Sequence, residues 1–257
     1  MFKRIIQTRI HRLLFKNQTL FIILNATELE QKTIEKWFNT TYSKRGESYL
    51  RPKEAYLIFA ELLQLQPAKN FLDVACGLGR MLEVSQLYKT NNYGIDLSEV
   101  AVEKAKLKLP NDNIVVGNAE QLPFENSTFD YVTCLGSLER MIDKKSVLQE
   151  IDRVTKPDAK ICLMVRNANS WRWIFTKKML FTINKKGHQD AKTYQEWKSL
   201  FDQHHFIIET CVADQWPLMK IKKIISFGLF KNYKKVSKSL VPLQFANEFI
   251  FILKKKS

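Results

Sequence analysis

Four residues near the middle of the chain have types and spacing that could serve one site: Asp73, Gly77, Gly79 and Asp96. The apolar run Asn70-Phe71-Leu72-Asp73-Val74 reads as a short buried strand, and the glycine turn Cys76-Gly77-Leu78-Gly79 follows almost at once. Such a turn lets backbone and ligand approach closely. It also leads into a helix whose first amides have no partner within the helix. Asp96 closes a second strand, Tyr93-Gly94-Ile95-Asp96. A carboxylate there can accept hydrogen bonds from both hydroxyls of a ribose lying across the sheet edge. The set describes a site for an adenosine-bearing ligand. Ordinary turns and a strand-end acid are the alternative.

The acid at position 73 narrows the ligand. A dinucleotide fingerprint needs G-x-G-x-x-G to seat a pyrophosphate, and Leu82 occupies the third position. Asp73 in the mouth of the turn would repel a pyrophosphate and favour a cationic group. No G-x-x-x-x-G-K-[ST] run occurs, so a nucleotide triphosphatase loop is not supported. The balance moves from a nicotinamide or flavin nucleotide to S-adenosylmethionine, which carries a sulfonium and an amino group and has no phosphate.

The elements that must hold these residues alternate. Strands are predicted at Asn70 to Val74, Tyr93 to Asp96, Ile114 to Val116, Phe129 to Cys134 and Lys160 to Val165. Helices fall between them: one after the glycine turn through Met81, Leu82, Val84 and Leu87, then Val100 to Leu107 and Lys144 to Val154. Short apolar strands separated by amphipathic helices imply an α/β fold with a mostly parallel sheet covered on both faces. Upstream, residues 1–24 read as a basic helical arm, and Thr27 to Phe38 as a helix with Leu29, Ile34, Trp37 and Phe38 as apolar contacts. A polar segment from Thr40 to Glu47 precedes a helix over Lys53 to Leu65. Downstream, a helix at Tyr194 to His204 and strands at Phe206 to Val212 and Phe245 to Leu253 complete the pattern.

Several of these segments resemble class I S-adenosylmethionine-dependent methyltransferases, in the branch that acts on small molecules such as quinones and lipids. Phe71 to Arg80 is similar to their first motif, and Tyr93-Gly94-Ile95-Asp96-Leu97-Ser98 to their second-strand motif. Asn118 to Phe124 followed by Ser127 to Asp130 resembles the third and fourth motifs, and Glu150 to Pro157 the helix and turn before the fifth strand. The resemblance is close over residues 42–165. It implies a Rossmann-like seven-stranded, mostly parallel sheet with helices on both faces and an antiparallel final strand, here with N-terminal helices and basic insertions added. The implied organisation is an N-terminal helical arm and cofactor lid at 1–50 and a methyltransferase domain at 51–257.

The resemblance also implies roles. Asp73 would hold the methionyl amino group, and the backbone of Ala75, Cys76, Gly77 and Gly79 would pass beneath the methionine. Asp96 would take the ribose hydroxyls and Leu97 would pack on the adenine, with Asn118, Ala119 and Glu120 along its edge. Cys134, Leu135 and Gly136 would form the strand-four mouth, bordered by Leu138, Glu139 and Arg140. Tyr42, Arg45 and Tyr49 are lid candidates, with Arg45 a candidate partner for the methionyl carboxylate. Two positions depart from the family pattern: Ala75 replaces a glycine, and Pro157-Asp158-Ala159 replaces Pro-Gly-Gly. Arg140 stands where many relatives have histidine, and arginine stays protonated, so it cannot serve as a base. Methyl transfer needs mainly alignment and exclusion of water. No catalytic residue is fixed, and Glu139, Arg140, His188 and Tyr194 are weak candidates.

Composition sets the partners. The chain has 257 residues, 45% hydrophobic, with a net charge of +15. Residues 1–18 carry five Lys/Arg and no acid. Residues 168–192 carry six against Asp190, and residues 215–244 carry seven Lys and no acid. The remainder is close to neutral, so the additions hold the positive charge and call for an anionic partner. The aromatic and basic run from Trp171 to Phe181 and the lysine-rich stretch from Leu218 to Ile225 suit a peripheral contact with an anionic membrane surface, or a roof over an amphipathic acceptor. Four cysteines without a CxxC pair read as reduced thiols of a cytoplasmic protein, and no metal site is expected. No run is long enough to cross a bilayer. Two other functions stay open: a tRNA or rRNA methyltransferase, and a non-catalytic protein that binds an adenosine ligand or acts as a scaffold. Against the first, the strand-four end reads Cys134-Leu135-Gly136-Ser137, without the Asn/Asp-Pro-Pro-Phe/Tyr motif of base-amine methylases.

Overall fold

The computed structural model describes residues 28–174, 190–216 and 242–256. The expected arm at 1–24, His188, and nearly all of the aromatic and lysine-rich stretches lie outside the described residues.

Seven strands form one sheet in the order β3-β2-β1-β4-β5-β7-β6. They are β1 (Asn70–Val74), β2 (Asn91–Asp96), β3 (Asn113–Val116), β4 (Phe129–Leu135), β5 (Thr155–Arg166), β6 (Phe206–Ala213) and β7 (Glu248–Lys255). The first five are parallel, and β7 runs antiparallel to both β5 and β6. Because β4 lies beside β1 on the side away from β2, the strand order reverses at β1. In open parallel sheets that is where the strand tips leave a crevice for a ligand.

Helices cover both faces, as the alternation requires. Phe71 and Leu72 are neighbours in β1 and point to opposite sides. Leu72, Val132 and Leu163 pack with Val147, Leu148 and Ile151 of α5 (Lys144–Val154) and with Trp197 and Phe201 of α7 (Tyr194–Gln203), the short α6 (Trp171–Ile174) coming before it in the chain. Phe71, Tyr131 and Cys162 pack with Phe59 and Leu63 of α2 (Leu57–Leu63), with Met81 and Leu82 of α3 (Arg80–Ser85) and with Val102 and Ala105 of α4 (Glu99–Lys108). Each fully buried Leu, Val or Phe contributes about 1.5–3 kcal/mol, so the two layers dominate the stability.

Local signals set the helix starts. The Ser98 hydroxyl accepts from the Ala101 amide, and Asp143 accepts from the amides of Lys145 and Ser146. Thr193 and Glu196 form a reciprocal capping box at α7. Each such cap stabilises its helix by about 1 kcal/mol.

Several boundaries differ from the sequence expectation, and β7 begins at Glu248, with Phe245 exposed in the 3-10 turn Leu243–Phe245. Helix α1 runs over residues 28–45, well past Phe38, so the polar segment continues the helix instead of forming a loop. Leu29, expected as a contact, is exposed. The helix expected from Lys53 begins as a 3-10 turn, Lys53–Tyr56, before α2. Helix α3 gives way to a 3-10 turn, Gln86–Tyr88, which leaves Leu87 exposed. Strand β5 begins at Thr155, and its ladder with β4 jumps from Phe129↔Thr155 to Tyr131↔Lys160. The exposed Pro157-Asp158 pair is therefore an excursion within the strand, since proline cannot donate to the ladder. Cys76, Cys134 and Cys162 are free and buried, and Cys211 is free and half-buried. Among the described residues no helix is long and apolar enough to cross a membrane.

Candidate functional site

The chain turns sharply off β1 and back into α3. The Cys76 amide donates to the Ile95 carbonyl at 3.0 Å, which ties the turn to β2, and the Gly79 amide donates to the Cys76 carbonyl at 3.0 Å. Gly77 and Gly79 adopt φ of +54° and +76°. A Cβ at Gly77 would lie 2.7 Å from the Tyr42 hydroxyl, and one at Gly79 would lie 2.7 Å from Leu109 Cδ1. Left-handed backbone and close approach both demand glycine at these two positions. Ala75 also has positive φ, +59°. The family's glycine would sit there without strain, whereas alanine carries a cost of about 1–2 kcal/mol.

Two buried carboxylates flank this turn. Asp96, at the tip of β2, accepts from the Gly77 amide at 2.7 Å and from the Ser98 amide at 2.9 Å. Burial raises its carboxyl to about 6 against the lowering effect of those two bonds. Asp73, on β1, accepts from the Thr133 hydroxyl of β4 at 2.6 Å. Burial raises it to about 7, the Thr133 bond lowers it, and the Asp96 charge adds a further upward push. Each acid is thus poised to change its charge when a cation or hydroxyl arrives.

Above the strand tips lies an open cleft of about 600 Å³, its mouth included. It is lined by Ala75, Asp96, Leu97, Asn118, Ala119 and Glu120, all foreseen as donor-site residues, together with Ile95 and Gly117. Ser137, Arg140 and Met141 close one side, and Gln31, Ile34, Phe38 and Tyr42 of α1 form the roof. The Asn118 side chain accepts from the Glu120 amide, while the Glu120 carboxylate accepts from the Asp143 amide. The edge loop is thereby held to the start of α5.

The roof was only partly foreseen. Tyr42 is buried, with its ring across Gly77 and its carbonyl accepting from Lys104 at 2.8 Å. Gln31, Ile34 and Phe38 carried no cleft role in the sequence reading. Their spacing with Tyr42 marks one helical face once α1 is known to run to residue 45. Arg45, at the last position of α1, is by contrast exposed and absent from the cleft lining. Tyr49 packs edge-on against Tyr42 at 5.6 Å.

On the other side, Cys134 is buried at the end of β4 and Leu135 is half-buried. Glu139 is fully buried beyond them. The Arg140 guanidinium lies 5.9 Å from the Trp37 ring and 6.0 Å from the Phe38 ring, which joins the cleft wall to α1. Tyr194 falls away from the site: it packs against Phe249 at 5.8 Å and Phe251 at 5.6 Å, a contact of α7 with the sheet. His204 is buried at the C-terminal end of α7, consistent with a capping role. Thr133, which supports Asp73, had no motif to announce it.

The seven-stranded sheet with its antiparallel β7 has the fold of class I S-adenosylmethionine-dependent methyltransferases. Comparison with known proteins bears on the same residues. Residues 72–163 match the family described as "Methyltransferase domain". The chain is similar to a demethylmenaquinone methyltransferase of Listeria welshimeri, 31% identical over 151 residues, covering 54% of this chain and 64% of that protein. It thus spans a little under two thirds of such relatives. Its fold resembles a SAM-dependent methyltransferase from Thermotoga maritima, with a TM-score of 0.60 and 17% identity over 86% of this chain and 99% of the other. It also resembles the [4+2]-cyclase SpnF, with a TM-score of 0.58 and 17% identity over 79% and 81% of the two chains. At such identities the likeness is one of fold, and function must be argued from the site.

Proposed function

We propose that this chain transfers the methyl group of S-adenosylmethionine to a small or amphipathic acceptor of the quinol type, by direct in-line attack. The observation that carries the proposal is the pair of buried acids, Asp73 and Asp96, at neighbouring parallel strand tips on either side of a turn that only glycine can make.

The residues present fit the donor. Asp96, Leu97, Asn118, Ala119 and Glu120 already line an open cleft that offers a carboxylate to a ribose and an apolar wall to a purine. Asp73, held by Thr133, supplies negative charge for the methionyl ammonium. The Tyr42 ring covers Gly77, where the methionine portion is expected, so α1 must shift as the donor enters. In this reading residues 1–50 act as a lid on a transferase domain of residues 51–257. The donor, when bound, supplies a methyl made electrophilic by its sulfonium. The protein's part is to align the acceptor opposite the leaving sulfur and to exclude water, which lowers the barrier by up to about 7–11 kcal/mol.

The acceptor class is argued from position and from relatives. Glu139 accepts from the Asp190 amide through its carbonyl, the Asn167 amide donates to Asn247, and the Asp214 amide donates to Glu248. The described ends of both basic insertions therefore lie at the same end of the sheet as the cleft. A positive segment beside an acceptor mouth suits an acceptor drawn from an anionic membrane surface, and the relatives similar over 54% of the chain methylate demethylmenaquinone by name.

Two experiments test the proposal. Calorimetric titration should show binding of S-adenosylmethionine and none of NAD; the reverse preference would remove the donor assignment. Incubation of full-length protein with labelled donor and demethylmenaquinol in detergent micelles should transfer label to the quinol. Label found instead in added tRNA would replace this acceptor with a nucleic acid.

A further inference from the structure

Beyond the donor site the described residues contain a partly buried series of alternating charges. Glu139, in the 3-10 turn Leu138–Arg140 after β4, is fully buried. No described residue donates a hydrogen bond to either of its carboxylate oxygens. Arg166 Nε, at the end of β5, stands 4.0 Å away. Arg166 in turn lies 4.0 Å from Glu248 at the start of β7, Glu248 pairs with Arg51, and Arg51 reaches Asp214 at 2.9 Å. Three carboxylates face two guanidiniums.

A carboxylate removed from water without a hydrogen-bond donor is unfavourable, and a buried ion pair compensates only when its geometry is close. At 4.0 Å Arg166 does not provide that geometry, and an uncharged residue of similar size would pack here without the penalty. Position supplies the reason to keep the acid. Ser137 and Arg140, on either side in sequence, line the cleft. The Cys134 thiol of β4 is pushed up by burial and then by the nearby charges of Glu139 and Asp73. Asp73 lies on β1, and Glu139 lies in the turn after β4 between two residues of the cleft wall.

We propose that Glu139 is the base that takes the acceptor's proton, which makes the acceptor a protic nucleophile bearing an O–H or N–H rather than a preformed thiolate. The proposal rests on the methyl-transfer reading above. The acceptor enters beside Ser137. Its proton passes to the Glu139 carboxylate, its freed electron pair forms the bond to the methyl carbon, and the sulfonium carbon–sulfur bond breaks with its pair left on sulfur. The resulting carboxylic acid then gives its proton to water.

The charged and titratable groups facing Glu139 are Arg166 from β5, Glu248 from β7, Cys134 from β4 and Arg140 from its own turn. Burial outweighs the two arginines and holds its carboxyl above the usual range. Glu139 therefore becomes a competent base only as pH rises past that of an ordinary glutamate.

The test compares wild type with Glu139→Gln and Glu139→Asp. Three readouts are used: thermal unfolding, an infrared titration of the carboxyl band lost in the glutamine variant, and turnover of demethylmenaquinol in micelles across pH. A catalytic base predicts that Glu139→Gln unfolds no earlier than wild type, that the lost band titrates above the usual range, and that turnover falls about 10²–10⁴-fold. The low-pH limb should vanish with it, and Glu139→Asp should recover part of the rate. Earlier unfolding of Glu139→Gln with unchanged turnover would make Glu139 an ion-pair strut and overturn the proposal. If wild type leaves demethylmenaquinol unmethylated, the acceptor assignment fails separately. Glu139 is then judged by the other two readouts, an ordinary band with earlier unfolding counting against it and a raised band with unchanged unfolding for it.

Discussion

The hydroxyl of Tyr42 lies 2.7 Å from the point where a side chain on Gly77 would begin, so the N-terminal helix rests directly on the turn between β1 and α3. The ring is buried, stacks on Phe38 at 6.1 Å and has its phenol pushed well above the usual range, chiefly by burial and then by Asp96. The contact joins α1 to the glycine turn through one side chain.

If the ring must move for the donor to enter, Tyr42→Ala trades stability for access. The variant should unfold earlier than wild type, by about 3–5 kcal/mol as for other buried aromatics. Saturating S-adenosylmethionine should raise its melting temperature more than it raises that of wild type, as differential scanning fluorimetry would show. A smaller ligand shift in the variant would mean that the ring grips the donor instead of standing in its way.

Ala75 holds a left-handed conformation that glycine adopts freely. Ala75→Gly should therefore be neutral or stabilising by up to about 1 kcal/mol, since relief of native strain opposes the extra freedom given to the unfolded chain. Ala75→Val, β-branched at the same φ, should destabilise by more than about 2 kcal/mol. Urea unfolding of the three proteins measures both, and clear destabilisation by glycine would contradict the backbone geometry.

Asp96 satisfies two amides at once, those of Gly77 and Ser98. Asparagine offers one carbonyl oxygen and an NH₂ that cannot accept, so Asp96→Asn should strand one amide at about 1–3 kcal/mol. The ribose contact would weaken in parallel. Calorimetry should show affinity for S-adenosylmethionine lowered by roughly 10–100-fold, with the far-ultraviolet dichroism of the fold retained.

The two acids also give a pH dependence with a defined sign. Asp73 at about 7 and Asp96 at about 6 hold protons in the folded protein that an unfolded chain would already have released. Stability of the ligand-free protein should then fall as pH rises from about 4 to about 7, and level off above that window. The donor, with an ammonium and two ribose hydroxyls to offer, favours the ionised forms. Its affinity should increase across the upper part of the window, with proton release on binding that calorimetry in buffers of different ionisation enthalpy can count. Affinity that declined over the same range would break the assignment of these acids.

The strands were legible because β1 to β4 are short apolar runs ended by Gly, Asp or Asn, the pattern a sheet buried on both faces imposes. Asp73, Gly77, Gly79 and Asp96 could be read from local spacing, and the structure sets Asp96, Ala75, Leu97 and Asn118 to Glu120 around one cleft. The sequence reading ends the helix at Phe38, before the polar segment from Thr40, yet contacts of Phe38 and Tyr42 with Leu78 and Ala101 carry α1 through it. That one misplaced boundary hid the cleft-facing stripe of α1 and put Arg45 in a lid where it has no contact with the site. The charges linking Glu139, Arg166, Glu248, Arg51 and Asp214 were invisible for a different reason. They come from distant parts of the chain and meet only because β7 inserts between β5 and β6.

The reversal of strand order at β1 splits the labour of the molecule. Residues matching the family, 72–163, stop near the end of β5, just where the charges around Arg166 and Glu248 begin. In the reading proposed above, the groups that would hold the donor lie on and beside β1 and β2, and those that would meet the acceptor lie from the end of β4 onward. A lineage could exchange the second half, insertion by insertion, and acquire new chemistry without relearning how to hold its reagent.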